Sequence, residues 1–421
     1  MPNRISGRLV ILSRQQESKM QNFSELPISP SLKKRLAPHF SVPTDVQAAT
    51  IPHAIAGKDV LATAQTGTGK TLAFLIPIIE RLGQRNTPGI DALVLVPTRE
   101  LAMQVAEQFN ALRGNQIAPA AIVVGGLSEG PQLSAIRKGA RVVIATPGRL
   151  EDYLHRRLIQ LGTVRTLVLD EADRMLDMGF LPAIRRIVAI LPKDRQTLCF
   201  SATLEASVAN LVKGYMSDPV RLAFGSTSKP SENVRLQAFE TSMEQRQQML
   251  CHLLAQEKGR CLVFSRTKRG TERIAAFLSW RGIHAGVIHG DRSQSQRTAA
   301  LTEFQQGRCR VLVATDLASR GIHVENIAHV INYDLPEMAE NFIHRVGRTG
   351  RAGARGVAST LFLREQRREL VQLERTLGIR MERIPVDLGS VEKSENQDRA
   401  NWPRAASKSM LDWLPGEFLQ A

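Results

Sequence analysis

Short runs of β-branched and other apolar residues, each followed by a stretch of helix length, fill most of the chain. In the first half the runs fall at 59–64, 92–97, 120–126, 141–147, 166–172 and 197–202, with helical stretches such as Thr71–Arg85 and Arg99–Leu112 between them. In the second half they fall at 260–265, 284–290, 310–316, 328–334 and 357–363, alternating with helix candidates Met243–Glu257, Thr267–Arg281 and Ser293–Gln306. Strands that alternate with helices predict βαβ units and a parallel sheet covered by helices on both faces. The fold class is therefore α/β, with two such blocks in tandem. Gly225–Ser231 between them holds no apolar residue and reads as a flexible linker. The expected division is a lead-in over 1–20, a first domain over 21–222, a linker over 223–233, a second domain over 234–387 and a tail over 388–421. The lead-in and the tail are expected to be disordered, apart from a short helix near Trp402 and Trp413, and Met20 is an alternative start.

Composition narrows the class. With 43% apolar and 23% charged residues in 421, the chain has the balance of a soluble globular protein with two or three domains. No apolar run approaches the length that spans a bilayer, so no membrane role is expected. Cys199, Cys251, Cys261 and Cys309 show no metal-ligand spacing, which points to a reducing, cytoplasmic compartment and no zinc site. The formal charge is +16. Four basic and one acidic residue in 1–20, and four basic against five acidic in 388–421, leave about +14 in the folded body. A basic body predicts a polyanionic partner, nucleic acid first; a basic protein without such a partner is the alternative.

Two segments carry chemistry. Ala64-Gln65-Thr66-Gly67-Thr68-Gly69-Lys70-Thr71 closes the first apolar run. Small residues there let backbone N–H groups wrap phosphate oxygens, Lys70 reaches the β/γ-phosphates, and Thr71 offers a hydroxyl to Mg²⁺. Ala64 stands where the general phosphate-loop pattern has Gly. Asp170-Glu171-Ala172-Asp173 ends another run and supplies one carboxylate for the metal and a second for the attacking water. Together they predict hydrolysis of a nucleoside triphosphate. In the second block, His344-Arg345-Val346-Gly347-Arg348-Thr349-Gly350-Arg351 reads as a helical stretch. There Arg348 and Arg351, three apart on one face, aim two guanidinia at one anion in the manner of an arginine finger. A solvated basic face is the alternative.

These segments stand in an order with others: Gln47, Pro97-Thr98-Arg99-Glu100-Leu101-Ala102, Gly125-Gly126, Thr146-Pro147-Gly148-Arg149, Ser201-Ala202-Thr203, Val263-Phe264-Ser265-Arg266 and Ala314-Thr315-Asp316…Arg320-Gly321. From about Phe23 to about Val386 the chain resembles the DEAD-box ATP-dependent RNA helicases of superfamily 2. Asp173–Phe180 and the short tail resemble the bacterial RhlE-like subgroup. The resemblance implies two tandem RecA-like domains with the nucleotide cleft between them, and ATP and Mg²⁺ as cofactors. It implies that Phe23 stacks on adenine and Gln47 hydrogen-bonds it. Residues 64–71 (Ala64, Gln65, Thr66, Gly67, Thr68, Gly69, Lys70, Thr71) would take the phosphates, Thr71 and Asp170 the metal. Lys70, Glu171, Arg348 and Arg351 would be catalytic, with Glu171 as general base. Asp173, Ser201, Thr203, Arg320 and His344 would couple nucleotide state to closure, a strand-end turn being the plainer alternative for Ser201 and Thr203.

The same resemblance implies an RNA track over Pro97, Thr98, Arg99, Gly125, Gly126, Thr146 and Arg149, and over Arg266, Gly290, Arg297 and Thr315. Small residues and backbone N–H groups suit close approach to phosphates, and arginines supply charge. Aromatics make up only 5% and none interleaves with these motifs, which argues against a base-stacking groove. Sequence-independent grip of the RNA backbone, with 2′-hydroxyl contacts, remains. One position departs from the family: His323 stands where the family has an aspartate that contacts the ribose. The expected activity is RNA-stimulated ATP hydrolysis with local separation of short duplexes by a monomer. Ribosome-assembly or RNA-decay proteins are the partners to expect. A DNA-directed helicase and an RNA clamp with vestigial hydrolysis are the rivals.

Overall fold

The computed structural model describes residues 22–64, 67–85, 87–203, 206–224, 233–316, 327–350 and 354–385. Within them the chain forms two compact units, divided near residue 230. Residues 65–66, 225–232, 320–323, 351 and the two ends lie outside the described residues. So do the readings placed on Gln65, Thr66, Arg320, His323, Arg351, the lead-in and the tail.

The first unit is a seven-stranded sheet in the order β3-β4-β2-β5-β6-β1-β7, every neighbouring pair parallel. Its strands are β1 (Val60–Ala64), β2 (Ala92–Leu95), β3 (Ala121–Val123), β4 (Val142–Ala145), β5 (Thr166–Leu169), β6 (Gln196–Ser201) and β7 (Val220–Phe224). The pleat sends successive side chains to opposite faces, and both faces are apolar. Val60, Ala62, Val94, Ile144, Val168 and Phe200 enter one core, with α1 (Pro30–Leu36), α2 (Asp45–Ile55), α3 (Lys70–Gln84) and α4 (Arg99–Leu112). Leu61, Leu93, Leu95, Val143, Leu167, Leu169 and Cys199 enter the other. That second core is covered by α6 (Pro147–His155), α7 (Ala172–Asp177), α8 (Leu181–Ala189) and α9 (Ala206–Tyr215), with α5 (Glu129–Arg137) at its margin.

The second unit repeats the plan. Its strands are β8 (Val234–Glu240), β9 (Arg260–Phe264), β10 (Ala285–Ile288), β11 (Val311–Ala314), β12 (Ile327–Asn332), β13 (Gly356–Phe362) and β14 (Glu382–Ile384). They lie in the order β10-β11-β9-β12-β13-β8-β14, again all parallel. With β8 counted as the first strand, both sheets read 3-4-2-5-6-1-7. The helices are α10 (Gln245–Gln256), α11 (Lys268–Trp280), α12 (Gln294–Gln305), α13 (Ala339–Val346) and α14 (Arg367–Leu377).

Two expectations are corrected. The stretch His344–Arg351 is not one helix. α13 ends at Val346 with Gly347 as its C-cap, Thr349 bridges to Ile327, and Gly350 has φ +67°. Arg348 therefore lies beyond the helix, and the shared-face reading loses its helical basis. In the first sheet, β7 runs to Phe224, so strand extends into the segment read as linker from 223.

Candidate nucleotide and nucleic-acid site

In both sheets the order reverses beside the first strand, and ligands of open α/β sheets bind beyond the carboxyl ends of the strands at such a point. β1, with all five residues buried, delivers the chain into the loop that ends at α3. Gly67 (φ +85°) and Gly69 (φ +89°) hold backbone angles that a side chain would strain. Lys70 opens α3, is buried, and donates from Nζ to the Ala64 carbonyl (2.8 Å), bridging the two ends of the loop. Half-buried Thr71 follows it.

Gln47 lies in the first turn of α2, within a capping box. Its Oε1 accepts the Thr44 amide (3.0 Å), and its Nε2 donates to the Gly69 carbonyl (3.0 Å). The carboxamide that was expected to meet a base is thus used to tie α2 to the phosphate loop. An amide oxygen accepts twice and an amide nitrogen donates twice, so the two uses are compatible. Phe23 is buried, its ring tilted against Phe40 at 6.4 Å between centroids.

β6 adjoins β1 and β5 adjoins β6, and the two bring the acids to the same end. Asp170 follows β5, its amide held by the Leu95 carbonyl (3.0 Å), and it is buried. Burial pushes its carboxyl up to about 7; nearby Lys70 opposes the shift, and Glu171 adds to it. A buried carboxyl raised in this way suits a hard divalent cation, which would hold it ionised. Among the described residues no group of three or more His, Cys, Asp or Glu side chains is placed to bind a metal. A Mg²⁺ ion at Asp170 and Thr71 would complete its shell with phosphate oxygens and water.

Glu171 is the N-cap of α7 in a left-handed conformation (φ +50°), and its Oε2 accepts Arg174 Nη1 at 2.6 Å. Asp173 Oδ2 accepts the Ala202 amide (2.8 Å), the Thr203 amide (3.0 Å) and the Thr203 hydroxyl (3.3 Å). Ser201 joins one bond further out: its Oγ accepts the Thr203 amide (3.3 Å). The acid tetrad and the Ser-Ala-Thr turn are one hydrogen-bonded unit.

The expected RNA residues gather on the other side of the sheet, at the ends of the adjacent strands β3, β4 and β2. Thr98 caps α4, its Oγ1 accepting the Leu101 amide (3.4 Å). The Arg99 guanidinium covers Gly126 (φ +73°), where an added Cβ would lie 2.6 Å from Cζ. Arg149 donates to the Val124 and Leu127 carbonyls (both 3.3 Å) and lies over the Tyr153 ring. The Thr146 amide donates to the Val123 carbonyl (3.0 Å). Pro97 precedes Thr98 in the same loop. Buried Gln132, which the sequence reading missed, orders this patch through bonds to Val124 N and O (3.0 and 3.1 Å) and to Leu127 O (3.2 Å).

The second unit repeats this corner at β10, β11 and β9. Thr267 caps α11, its Oγ1 accepting the Gly270 amide (2.9 Å), as Thr98 caps α4. The place of Arg99 falls to Lys268, whose Cε lies 3.5 Å from a Cβ built on Gly290. Lys268 was missed; the signal was the Thr-cation pair after an apolar run, present in both halves. Arg266 donates from its amide to Asp334 Oδ2 (2.8 Å), which also accepts the Ser265 hydroxyl (3.0 Å). Thr315 is buried beside Asp316, and Asp316 takes Arg345 in a two-pronged pair (2.5 and 2.6 Å). Half-buried Arg297 lies on the first turn of α12. Buried Arg348 donates from Nε to the carbonyl of half-buried His344 (3.2 Å). The end of β8, by contrast, carries Thr241-Ser242-Met243-Glu244, with neither glycine nor lysine.

A parallel sheet of this order, with a glycine-rich loop and lysine after the first strand and an acid after the fifth, defines a phosphate-loop nucleotide-binding core of the RecA-like kind. Here it is built twice and keeps one loop. The family models agree: "DEAD/DEAH box helicase" matches residues 44–211 and "Helicase conserved C-terminal domain" residues 244–353. The chain is 39% identical over 364 residues to the DEAD-box ATP-dependent RNA helicase CshA of Bacillus licheniformis, covering 86% of this chain and 74% of that one. Among solved structures, S. cerevisiae Dbp5 bound to RNA and ADP BeF3 matches with TM-score 0.79 and 30% identity, covering 90% of this chain and 99% of that one. Mss116p bound to ssRNA and AMP-PNP matches with TM-score 0.82 and 26% identity, covering 94% and 85%. The chain belongs to the DEAD-box ATP-dependent RNA helicase family, which hydrolyses ATP.

Proposed function

We propose that this protein is an RNA-stimulated ATPase that grips RNA by its backbone and separates short duplexes locally. The observation that carries the reading is the split of one sheet end. The ends of β5, β6 and β1 hold Asp170, Ser201 and the phosphate loop, while those of β3, β4 and β2 hold a cation-and-glycine patch. Lys70 would leave the Ala64 carbonyl for the β/γ-phosphates, and the loop amides from 65 to 70 would bind phosphate oxygens. Mg²⁺, held by Asp170 and Thr71, would neutralise charge on the β- and γ-phosphates. Glu171 would take the proton of the attacking water, and Arg348 and Arg351 would stabilise the charge that develops on the γ-phosphate. Gln47 would report the base to the phosphate loop through Gly69. The residues named for RNA would contact phosphate and ribose, which supports binding without sequence preference.

The finer readings rest on narrower ground. Placement in the RhlE-like subgroup rests on the resemblance of Asp173–Phe180 and the short tail. Action in a reducing compartment such as the cytoplasm is supported by four free cysteines, three of them buried. No helix among the described residues is long and apolar enough to cross a membrane.

The test is ATP turnover with and without single-stranded RNA or DNA, and strand separation of a short RNA duplex. Stimulation by RNA and not DNA, lost in Lys70→Ala, is the expected result. Stimulation by DNA alone would make it a DNA helicase. RNA binding without turnover would make it a clamp.

A further inference from the structure

Arg174 was given no role by the motifs, yet it is the side chain that grips Glu171. Its Nη1 lies 2.6 Å from Glu171 Oε2, with 5% and 11% of the two side chains exposed. Three acids crowd four residues here, and Asp170 and Asp173 are buried as deeply as Glu171. Glu171 itself sits at φ +50°, ψ 52°, a conformation non-glycine residues seldom adopt, which fixes where its side chain leaves the chain. The second sheet offers an internal control. The Asp170 amide donates to the Leu95 carbonyl, and the Tyr333 amide donates likewise to the Phe264 carbonyl at the end of the matching strand (both 3.0 Å). The residue after each is acidic: Glu171 in the first sheet, Asp334 in the second. Asp334 is also paired with a buried arginine, Arg246 (3.2 Å), which comes from α10 and so from a different element. Both sheets thus hold an acid at this strand end with an arginine, but only in the first does the first strand of the same sheet lead into a glycine-rich phosphate loop.

We infer that Arg174 is a positioning residue for hydrolysis: it fixes one oxygen of the Glu171 carboxylate, so that the group meets water in a single orientation. The inference rests on Glu171 being the group that takes the proton. A base held loosely loses rate without losing substrate, because binding energy and alignment are separate contributions.

The experiment uses the full chain with Arg174→Met, Arg174→Lys, Glu171→Gln and the Glu171→Gln/Arg174→Met double variant. RNA-stimulated kcat and the KM for ATP are measured, with affinities for RNA and for a non-hydrolysable ATP analogue and the melting temperature. Arg174→Met is expected to lower kcat about ten- to a hundredfold. KM, analogue affinity and RNA affinity should stay within about twofold, and Arg174→Lys should recover part of the loss. In the Glu171→Gln background, Arg174→Met should change residual turnover by less than about twofold. Full kcat in folded Arg174→Met would overturn the inference, as would equal losses in analogue binding and rate. A rise in RNA-independent turnover would also overturn it, marking Arg174 as a restraint. If Arg174→Met does not fold, Arg174→Lys decides by the same split. Wild-type turnover in Glu171→Gln would instead remove Glu171 as the base, and with it the reading on which this inference stands.

Discussion

Gly69 should be irreplaceable for a reason that includes Gln47. Its φ of +89° costs an L-residue about 1–2 kcal/mol from backbone crowding alone. A Cβ there would also lie 3.1 Å from Gln47 Cδ and 3.0 Å from Thr44 Oγ1, and closer still to Gln47 Nε2. Gly69→Ala must therefore push the carboxamide away from the carbonyl it bonds at 3.0 Å, forfeiting about 1 kcal/mol more. The sum, about 2–3 kcal/mol, predicts a ~30- to 150-fold loss in affinity for an ATP analogue, in fall of apo stability, or shared between them. Gln47→Ala removes the bond and the obstruction together. In the Gln47→Ala background the Gly69→Ala penalty should shrink by about 1 kcal/mol, with only the Thr44 approach left. The assay is a double-mutant cycle read by fluorescent-analogue binding and by denaturant unfolding. If the two penalties add within about 0.3–0.5 kcal/mol, the Gln47–Gly69 link carries no energy and the reasoning fails.

Gly126→Ala places a Cβ 2.6 Å from Arg99 Cζ at φ +73°; it should weaken RNA binding severalfold and leave ATP-analogue binding unchanged, as titration of labelled RNA would show. Lys268→Gln should weaken RNA binding equally across sequences and reduce the slope of log affinity against log salt by about 1, measured between low and moderate salt. His329 is buried, 2.8 Å from the Ser359 hydroxyl, and burial lowers its pKa to about 4. The unfolded imidazole takes up a proton near pH 6.5 that the folded one refuses until about 4. Stability should therefore fall by about 3 kcal/mol between those values. His329→Gln should flatten that slope in urea unfolding at pH 7 and pH 4.5.

The sequence pattern found the buried strands and missed three others, for one physical reason. Val220–Phe224 is an edge strand with a single fully buried residue, and Glu382–Ile384 is a three-residue edge. Val234–Glu240 is interior in order, but its outer neighbour covers only Gln237–Phe239, so polar side chains remain along it. Strands covered on both faces must be apolar throughout; strands half in water need not be. The five helices given bounds from the pattern match to within two residues at each end, Arg99–Leu112 without error. In the site, residue types suggested a chemistry but did not reveal their partners. The bond from Gln47 to Gly69 spans 22 positions, and nothing local marks it. The helical reading of His344–Arg351 failed at its own glycines: the spacing that put Arg348 and Arg351 on one face counts only if the helix continues, and it stops at Val346.

Two sheets of identical strand order allow the parts of the site to be separated by what each copy keeps. The nucleotide loop follows the first strand in one copy, and its counterpart after β8 has lost both glycine and lysine. The corner formed by strands 3, 4 and 2 keeps its plan in both: a threonine cap, a cation on the first turn of the helix, and a glycine beneath it. An energy source is needed once, whereas a grip on a long polymer gains from repetition. Three adjacent strand ends span only about 10 Å, close to the reach of two nucleotides, so one corner alone holds a short segment. Within the first unit the two functions meet at β2 and β5, where the strand that leads to Arg99 hydrogen-bonds the strand that leads to Asp170. The Asp170 amide rests on the Leu95 carbonyl at 3.0 Å. A shift imposed on the Pro97–Arg99 loop by RNA therefore needs to cross one strand spacing, about 5 Å, to reach Asp170, the acid proposed to hold the metal. Sensitivity of hydrolysis to RNA in this fold needs no longer route than that.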